Sequence, residues 1–248
     1  MERTARAGRG DAPLTATRAE RIVVAREVVT DRQSVGKLFR MSRITASELH
    51  RRLVTLDKAL AEDPHFAVNL RLQLNSERAS DEEVRHVEDV AGIALPDVVA
   101  TFLRDVAMSA QLCWHLEEDG VERYDTSWGG GTGGLFLLTP AEMIAQRERL
   151  LSMTEADPAT TRILPFAKDP GAATWLAVYA SRFGERIAIV HHDASLDEAE
   201  VFKADEFFEG WSRAGFPIED RWEDQPEELV AYLEDAMGLE PEEFEEDE

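Results

Sequence analysis

The chain has 248 residues, enough for one large domain or a domain with extensions, and a core of that size needs no disulfide or metal staple. Asp and Glu total 50 against 27 Lys and Arg, a formal net charge of -23. Such a surface repels phosphate backbones and anionic headgroups and attracts cationic proteins, although the same acidity also serves solubility. Cys113 is the only cysteine, which excludes an intrachain disulfide, and its neighbours Leu112 and Trp114 suggest a small core residue.

Residues 1–33 read as a mobile basic arm with a short helix from Arg18 to Val29. The apolar run Ile22-Val23-Val24-Ala25 is interrupted by Arg26, unlike a signal peptide, and no stretch reaches the roughly 18 apolar residues of a membrane span. The expected compartment is the cytoplasm. Residues 34–79 form an extension of one helix and one strand. Thr45 and Glu48 have capping-box spacing, Leu49, Leu53, Leu56 and Leu60 form one stripe over 45–61, and Asp63-Pro64 ends it. Phe66, Val68, Leu70, Leu72 and Leu74 then alternate with Ala67, Asn69, Arg71 and Gln73, which predicts a strand with one buried face.

Ser80 and Glu83 cap a second helix that Gly92 stops, and Pro96 suits the first position of a third, with Val99, Phe102, Leu103 and Val106 inward. Strands are expected over 111–117 and 134–138, with 121–127 as a candidate between them. Thr139, Pro140 and Glu142 start a helix through Met143, Ile144, Leu150 and Leu151. Three or four strands follow, at 162–167, 174–180, 186–192 and a short one near 200–203, and their connections are too short for crossover helices, so they pair antiparallel. A helix through Phe207, Phe208 and Trp211 ends at Gly215. Asp224 and Glu227 cap a last helix carrying Leu229, Tyr232, Leu233 and Met237, and 217–248 is an acidic extension ending in a frayed tail. The fold class is α+β, mainly an antiparallel sheet flanked by helices.

Ile93-Ala94-Leu95-Pro96 leading into Val99-Ala100-Thr101-Phe102-Leu103 resembles the "LP…FL" helix of the SUKH superfamily. Gly133-Gly134-Leu135-Phe136-Leu137-Leu138-Thr139 is similar to its glycine-bearing strand, and Ile163-Leu164-Pro165-Phe166-Ala167-Lys168-Asp169 to its "I-P" strand. Ala188-Ile189-Val190-His191-His192 resembles the late strand, and Val201 through Phe208 the closing segment. The resemblance covers 80–216 and departs from the family after Leu103, where no glycine appears until Gly120. It implies a cofactor-free, non-catalytic protein that works by binding a basic protein. The leading expectation is an immunity protein neutralising a toxin's nuclease or deaminase domain, and the alternative is a regulatory adaptor or scaffold. The oligomeric state is left open.

The catalytic and metal motifs each have a plainer reading. Gly129-Gly130-Gly131-Thr132-Gly133-Gly134 contains G-x-G-x-x-G, yet Leu135 to Leu138 reads as a strand where a dinucleotide fingerprint needs a helix, so a loop or a close backbone approach is favoured. His191 and His192 are adjacent on a strand and point to opposite faces, which suits no shared ion. Trp114, Trp175 and Trp211 fall in apolar patterns and belong to the core. Trp128 and Trp222 serve either as aromatic anchors for a partner or as packing lids. With Glu117, Asp119, Asp193, Glu223 and Asp224 they make the candidate partner-binding set. The acidic tail imitates phosphates, contacts the basic arm, or binds nothing.

Overall fold

Helix α1 (Ala46–Glu62) opens the part of the chain described by the computed structural model, which comprises residues 44–124, 132–169, 174–181, 184–217 and 225–239. The arm over 1–33, residues 34–43 of the extension and the tail beyond 239 lie outside these. The Thr45 hydroxyl accepts the Glu48 N–H at 3.2 Å, the first half of the expected capping box. The Glu48 carboxylate turns instead to Arg51 and Arg52. Leu49, Leu53, Leu56 and Leu60 are buried, and Asp63 ends the helix in extended geometry before Pro64.

Strand β1 (Phe66–Leu74) follows, then α2 (Asp81–Ala91) inside a complete Ser80–Glu83 capping box. Gly92 closes α2 at φ +64°, a left-handed conformation that favours glycine, and its N–H is satisfied by α2 carbonyls. In α3 (Asp97–Asp105), Pro96 is the cap and not the first helical residue, a shift of one position that leaves the missing donor harmless. Next come β2 (Ala110–Leu116), α4 (Glu118–Tyr124), β3 (Thr132–Leu137) and α5 (Pro140–Met153), the last with the full Thr139–Glu142 capping box. Strands β4 (Ile163–Lys168), β5 (Thr174–Ser181), β6 (Gly184–His191) and β7 (Glu200–Phe202) lead into α6 (Ala204–Arg213) and α7 (Glu227–Ala236). Pro226 caps α7 where Asp224, outside the described residues, was expected to.

The strands form one sheet in chain order, β1 to β7, with every neighbouring pair antiparallel. This is the α+β architecture expected, and β1, which the family resemblance leaves out, is its first strand. Among the described residues no helix is long and apolar enough to cross a membrane.

Two further elements are corrected by the structure. The candidate strand over 121–127 is helical as far as Tyr124, with 125–127 outside the described residues. The Glu117 N–H donates to the His65 carbonyl as a last rung opposite β1, and the Glu117 carbonyl then accepts the Gly120 and Val121 N–H groups, which begins a helix in which Val121 and Tyr124 have i, i+3 spacing, not alternation. Gly120 then sits so close to the His65 carbonyl that a Cβ there has no room. The other correction concerns β1. Its pairing with β2 slips between Val68 and Leu70 and again before Gln73, so Leu70 faces Cys113 on the outer side while Phe66 and Val68 face the core. The first bulge reverses the parity until the second restores it, so that Leu72 packs on the core again, which the alternation of apolar residues does not reveal.

The main core lies between the inner face of the sheet and the helices, with Phe102, Trp114, Phe166, Phe207 and Phe216 fully buried. A smaller cluster on the outer face joins Leu150 and Leu151 of α5 to Ile163, Trp175, Ala177, Ala188 and Val190. Trp114, Trp175 and Trp211 are all core residues, as their patterns predicted. Only two residue pairs, Phe136–Lys168 and Leu137–Ala167, join β3 to β4. Above them β3 is completed by the segment after α6: the Gly134 N–H donates to the Phe216 carbonyl at 2.8 Å, and Gly133 bridges Pro217.

Candidate functional site

The described members of the predicted binding set do not converge. Glu117 leaves the end of β2 and Asp119 lies in the first turn of α4, so these two are neighbours, both exposed, with Glu118 and Glu122 beside them. Asp193 sits in the turn after β6, exposed, 4.0 Å from the His192 ring. Following the register, Val190 stands level with Gln111, at the opposite end of β2 from Glu117. Four strand spacings also separate β2 from β6, roughly 20 Å at the usual inter-strand distance. Asp193 therefore belongs to another part of the surface. Trp128, Trp222, Glu223 and Asp224 lie outside the described residues.

The corner that carries Glu117 and Asp119 is built on a hydrogen-bonded knot. Asp63 Oδ1 accepts from the His65 N–H at 2.9 Å and is 2.8 Å from its ring Nδ1, and the Tyr232 hydroxyl donates to the same carboxylate. Burial alone would raise the Asp63 pKa, but the Tyr232 hydroxyl, the His65 N–H and the His65 ring outweigh it and hold the carboxyl below its ordinary range. Tyr232 is pushed well above the ordinary phenol value, by burial first and by its bond to Asp63 second. Tyr124 is raised as well, by burial and then by Asp63 and Glu228 against the opposing Arg123. Both phenols are thus favoured in the protonated form, which keeps the Tyr232 hydroxyl a donor to Asp63.

Its rings fix the elements to one another. Phe66 stacks on Tyr232 at 5.2 Å, Tyr124 lies 5.9 Å from Tyr232, and Phe66 meets Trp114 edge-on at 5.6 Å. The Arg123 guanidinium lies over Tyr124 at 5.2 Å. The α4 carboxylates project from this packed corner. The ion pairs of α1, α6 and α7 add to it. Arg52 joins Glu48 to Glu209 and Ser212, while Arg213 joins Glu209 to Glu234 at 2.8 and 2.6 Å.

The outer face of β1–β3 holds residues that the sequence reading did not group. Asn69 Nδ2 lies 2.8 Å from His115 Nδ1, and the Asn69 side chain also hydrogen-bonds Cys113. Cys113 was expected in the core; it is half-buried on the outer face, because Leu112 and Trp114 on either side take the inward positions. Burial raises its thiol pKa above the ordinary value despite the Asn69 bond, the opposite of an activated nucleophile. The alternation of Gln111, Cys113 and His115 with Leu112, Trp114 and Leu116 is the signal that finds this face.

Gly133 shows what the described end of the glycine run does. A Cβ at this position would fall within the Trp114 indole, whose Nε1–H donates to the Gly215 carbonyl at 3.0 Å. That is the close approach expected of it. His191 Nδ1 lies 3.1 Å from the Thr174 hydroxyl, whereas His192 is exposed beside Asp193. Among the described residues no group of three or more His, Cys, Asp or Glu side chains is placed to hold a metal ion. A shallow cleft of about 130 Å³ opens between α3 and α6, lined by Ile44, Pro96, Asp97, Val98, Asp205 and Phe208. Compared with known proteins, the chain matches no family model and no curated protein.

Proposed function

We propose that this chain is a non-catalytic, SUKH-type immunity protein that binds a basic toxin domain, a nuclease or deaminase, and blocks its active site or substrate channel. The observation that carries the reading is the division of charge along the chain. The first 43 residues hold ten Lys and Arg against five Asp and Glu, which leaves 17 against 45, a net of -28, on the remainder. Domains that act on nucleic acid present cationic surfaces to a polyanion, and an acidic protein competes for those surfaces. Carboxylates such as Glu117 and Asp119, projecting from a packed corner, steer the encounter, and aromatic or apolar contacts hold it.

Co-expression with the toxin encoded beside this gene tests the proposal. The expected result is survival of cells that otherwise die, co-purification of the two proteins, and an association rate that falls steeply with salt. Undiminished toxicity with no complex overturns it.

A further inference from the structure

We infer that the outer face of β1–β3 is the docking surface for a basic protein whose contact patch is neutral at its centre and cationic at its edge; this rests on the reading of the chain as a binder of a basic protein. The three strands, Phe66–Leu74, Ala110–Leu116 and Thr132–Leu137, carry no Asp or Glu in a chain that has 50. Their one charged residue, Arg71, is held by Asp57 of α1. The outer face instead presents Leu70, Gln73, Gln111, Cys113, His115 and Phe136, half-buried or exposed. Among the described residues, Leu70 and Phe136 belong to neither apolar cluster, although the outer face of β4–β6 is filled by one of them.

Charge depletion at the centre with carboxylates around it is the anatomy of a protein interface, here one for a basic partner. Glu117, Glu118 and Asp119 stand beyond one end of β2, and Glu77, whose carbonyl accepts the Met108 N–H, stands near the other. A second copy of the chain is a poor occupant, because each copy brings a net charge of -23 to the contact.

The face supplies its own probe position. Phe136 replaced by p-benzoylphenylalanine keeps an aromatic ring on the patch, beside Gln111. The control places the same photo-crosslinker at Val90, 42% exposed on α2. Full-length protein is expressed in its source cells and irradiated, and crosslinked products are identified by mass. The expected result is one product, with a protein rich in Lys and Arg, formed at Phe136 and not at Val90. Its yield drops at least tenfold when Gln111→Arg and His115→Arg are added, in a protein that still melts cooperatively. No product at either position, a product at Val90 alone, capture of an acidic protein or of a second copy, or a yield unmoved by the two arginines overturns the inference. The outcome is separable from that of the proposed function. A basic captured protein that is not a toxin keeps the docking face and removes the immunity role. Protection from the toxin with Phe136 silent does the reverse.

Discussion

The two halves of the sheet are built on different terms. In β4–β6, side chains of both parities are buried: Leu164, Phe166 and Val178 on the inner face, and Ile163, Trp175, Ala177 and Val190 on the outer. In β2 burial alternates strictly, with Ala110, Leu112, Trp114 and Leu116 inside and Gln111, Cys113 and His115 only half-buried. The halves are joined by two residue pairs between β3 and β4. A strand covered on both faces spends every side chain on stability, whereas a strand covered on one keeps half of them for another purpose.

The largest expected effect tests this contrast directly. Trp175→Ala removes an indole that is 1% exposed, bonded through Nε1 to Gln146 at 3.0 Å and covered by Arg149. It should cost about 3–5 kcal/mol of unfolding free energy. Phe136→Ala, on the open half, should cost less than about 1.5 kcal/mol, since a half-exposed ring loses only part of its transfer energy. Urea denaturation of the two variants side by side measures the gap. Equal losses would mean that the outer face of β1–β3 is as closely packed as that of β4–β6.

The second effect belongs to the inner face of the first half. Gly133→Ala puts a methyl group into the Trp114 ring, so the indole must shift and loosen its bond to Gly215. A cost of about 1–3 kcal/mol is expected from overpacking. Trp114 fluorescence should change with it, which separates a local shift from a general loss of structure. Gly134→Ala is no substitute, because Gly134 faces outward opposite Cys113.

How far the sequence was legible follows from the same contrast. Ser80–Glu83 and Thr139–Glu142 announced their helices because each cap is satisfied within four residues, with no help from the rest of the fold. The antiparallel pairing of β4, β5 and β6 was readable from connections too short for a crossover. The failures are tertiary. At Glu117 the last rung of β2 goes to His65, 52 positions earlier in the chain, and the Glu117 carbonyl then takes helical partners at Gly120 and Val121. Leu70 changes face because β1 bulges against β2. Cys113 looked like core because Leu112 and Trp114 beside it are core, yet neighbours along a strand face opposite ways. Of the candidate site, Glu117 and Asp119 were found together and Asp193 was not, since nothing local encodes the stagger between β2 and β6.

A third test concerns the free edge of the first half. β1 is an end strand, and Asp57 of α1 closes it by accepting the Leu72 N–H at 2.9 Å and both Arg71 nitrogens at 2.8 Å. Asp57→Ala leaves that N–H and the Arg71 guanidinium without the carboxylate. A loss of about 1–2 kcal/mol is expected. The uncovered edge should also promote pairing between copies, visible as concentration-dependent sedimentation. A variant that stays monomeric at high concentration would show that the bulges of β1 protect the edge by themselves.

Acid supplies the smallest effect and distinguishes what holds each half. Glu48, Asp57 and Asp63, all held below the ordinary carboxylate range, sit on α1 and its C-terminal cap, over the β1–β3 half. Glu48 is lowered from 4.5 to about 2, chiefly by its hydrogen bonds to Arg51, with burial opposing and Arg52 assisting. A folded-state pKa below the unfolded one adds stability above the unfolded value, and that stability is lost as pH falls through the folded value. The window is thus pH 4.5 down to about 2. Because the pair is partly exposed, with Glu48 at 30% and Arg51 at 45%, the contribution is that of a surface ion pair, about 0.5–1 kcal/mol. Glu48→Gln should therefore be less stable than the parent by that amount at pH 6, and the difference should close as the pH approaches 2. Hydrogen exchange across the same range should open α1 and α7, joined by the Arg51 bond to the Met237 carbonyl, before β5 and β6, which are joined by an antiparallel ladder and covered by an apolar cluster. If β5 and β6 open first, the doubly covered half is not the more stable one, and the division of labour drawn between the halves fails.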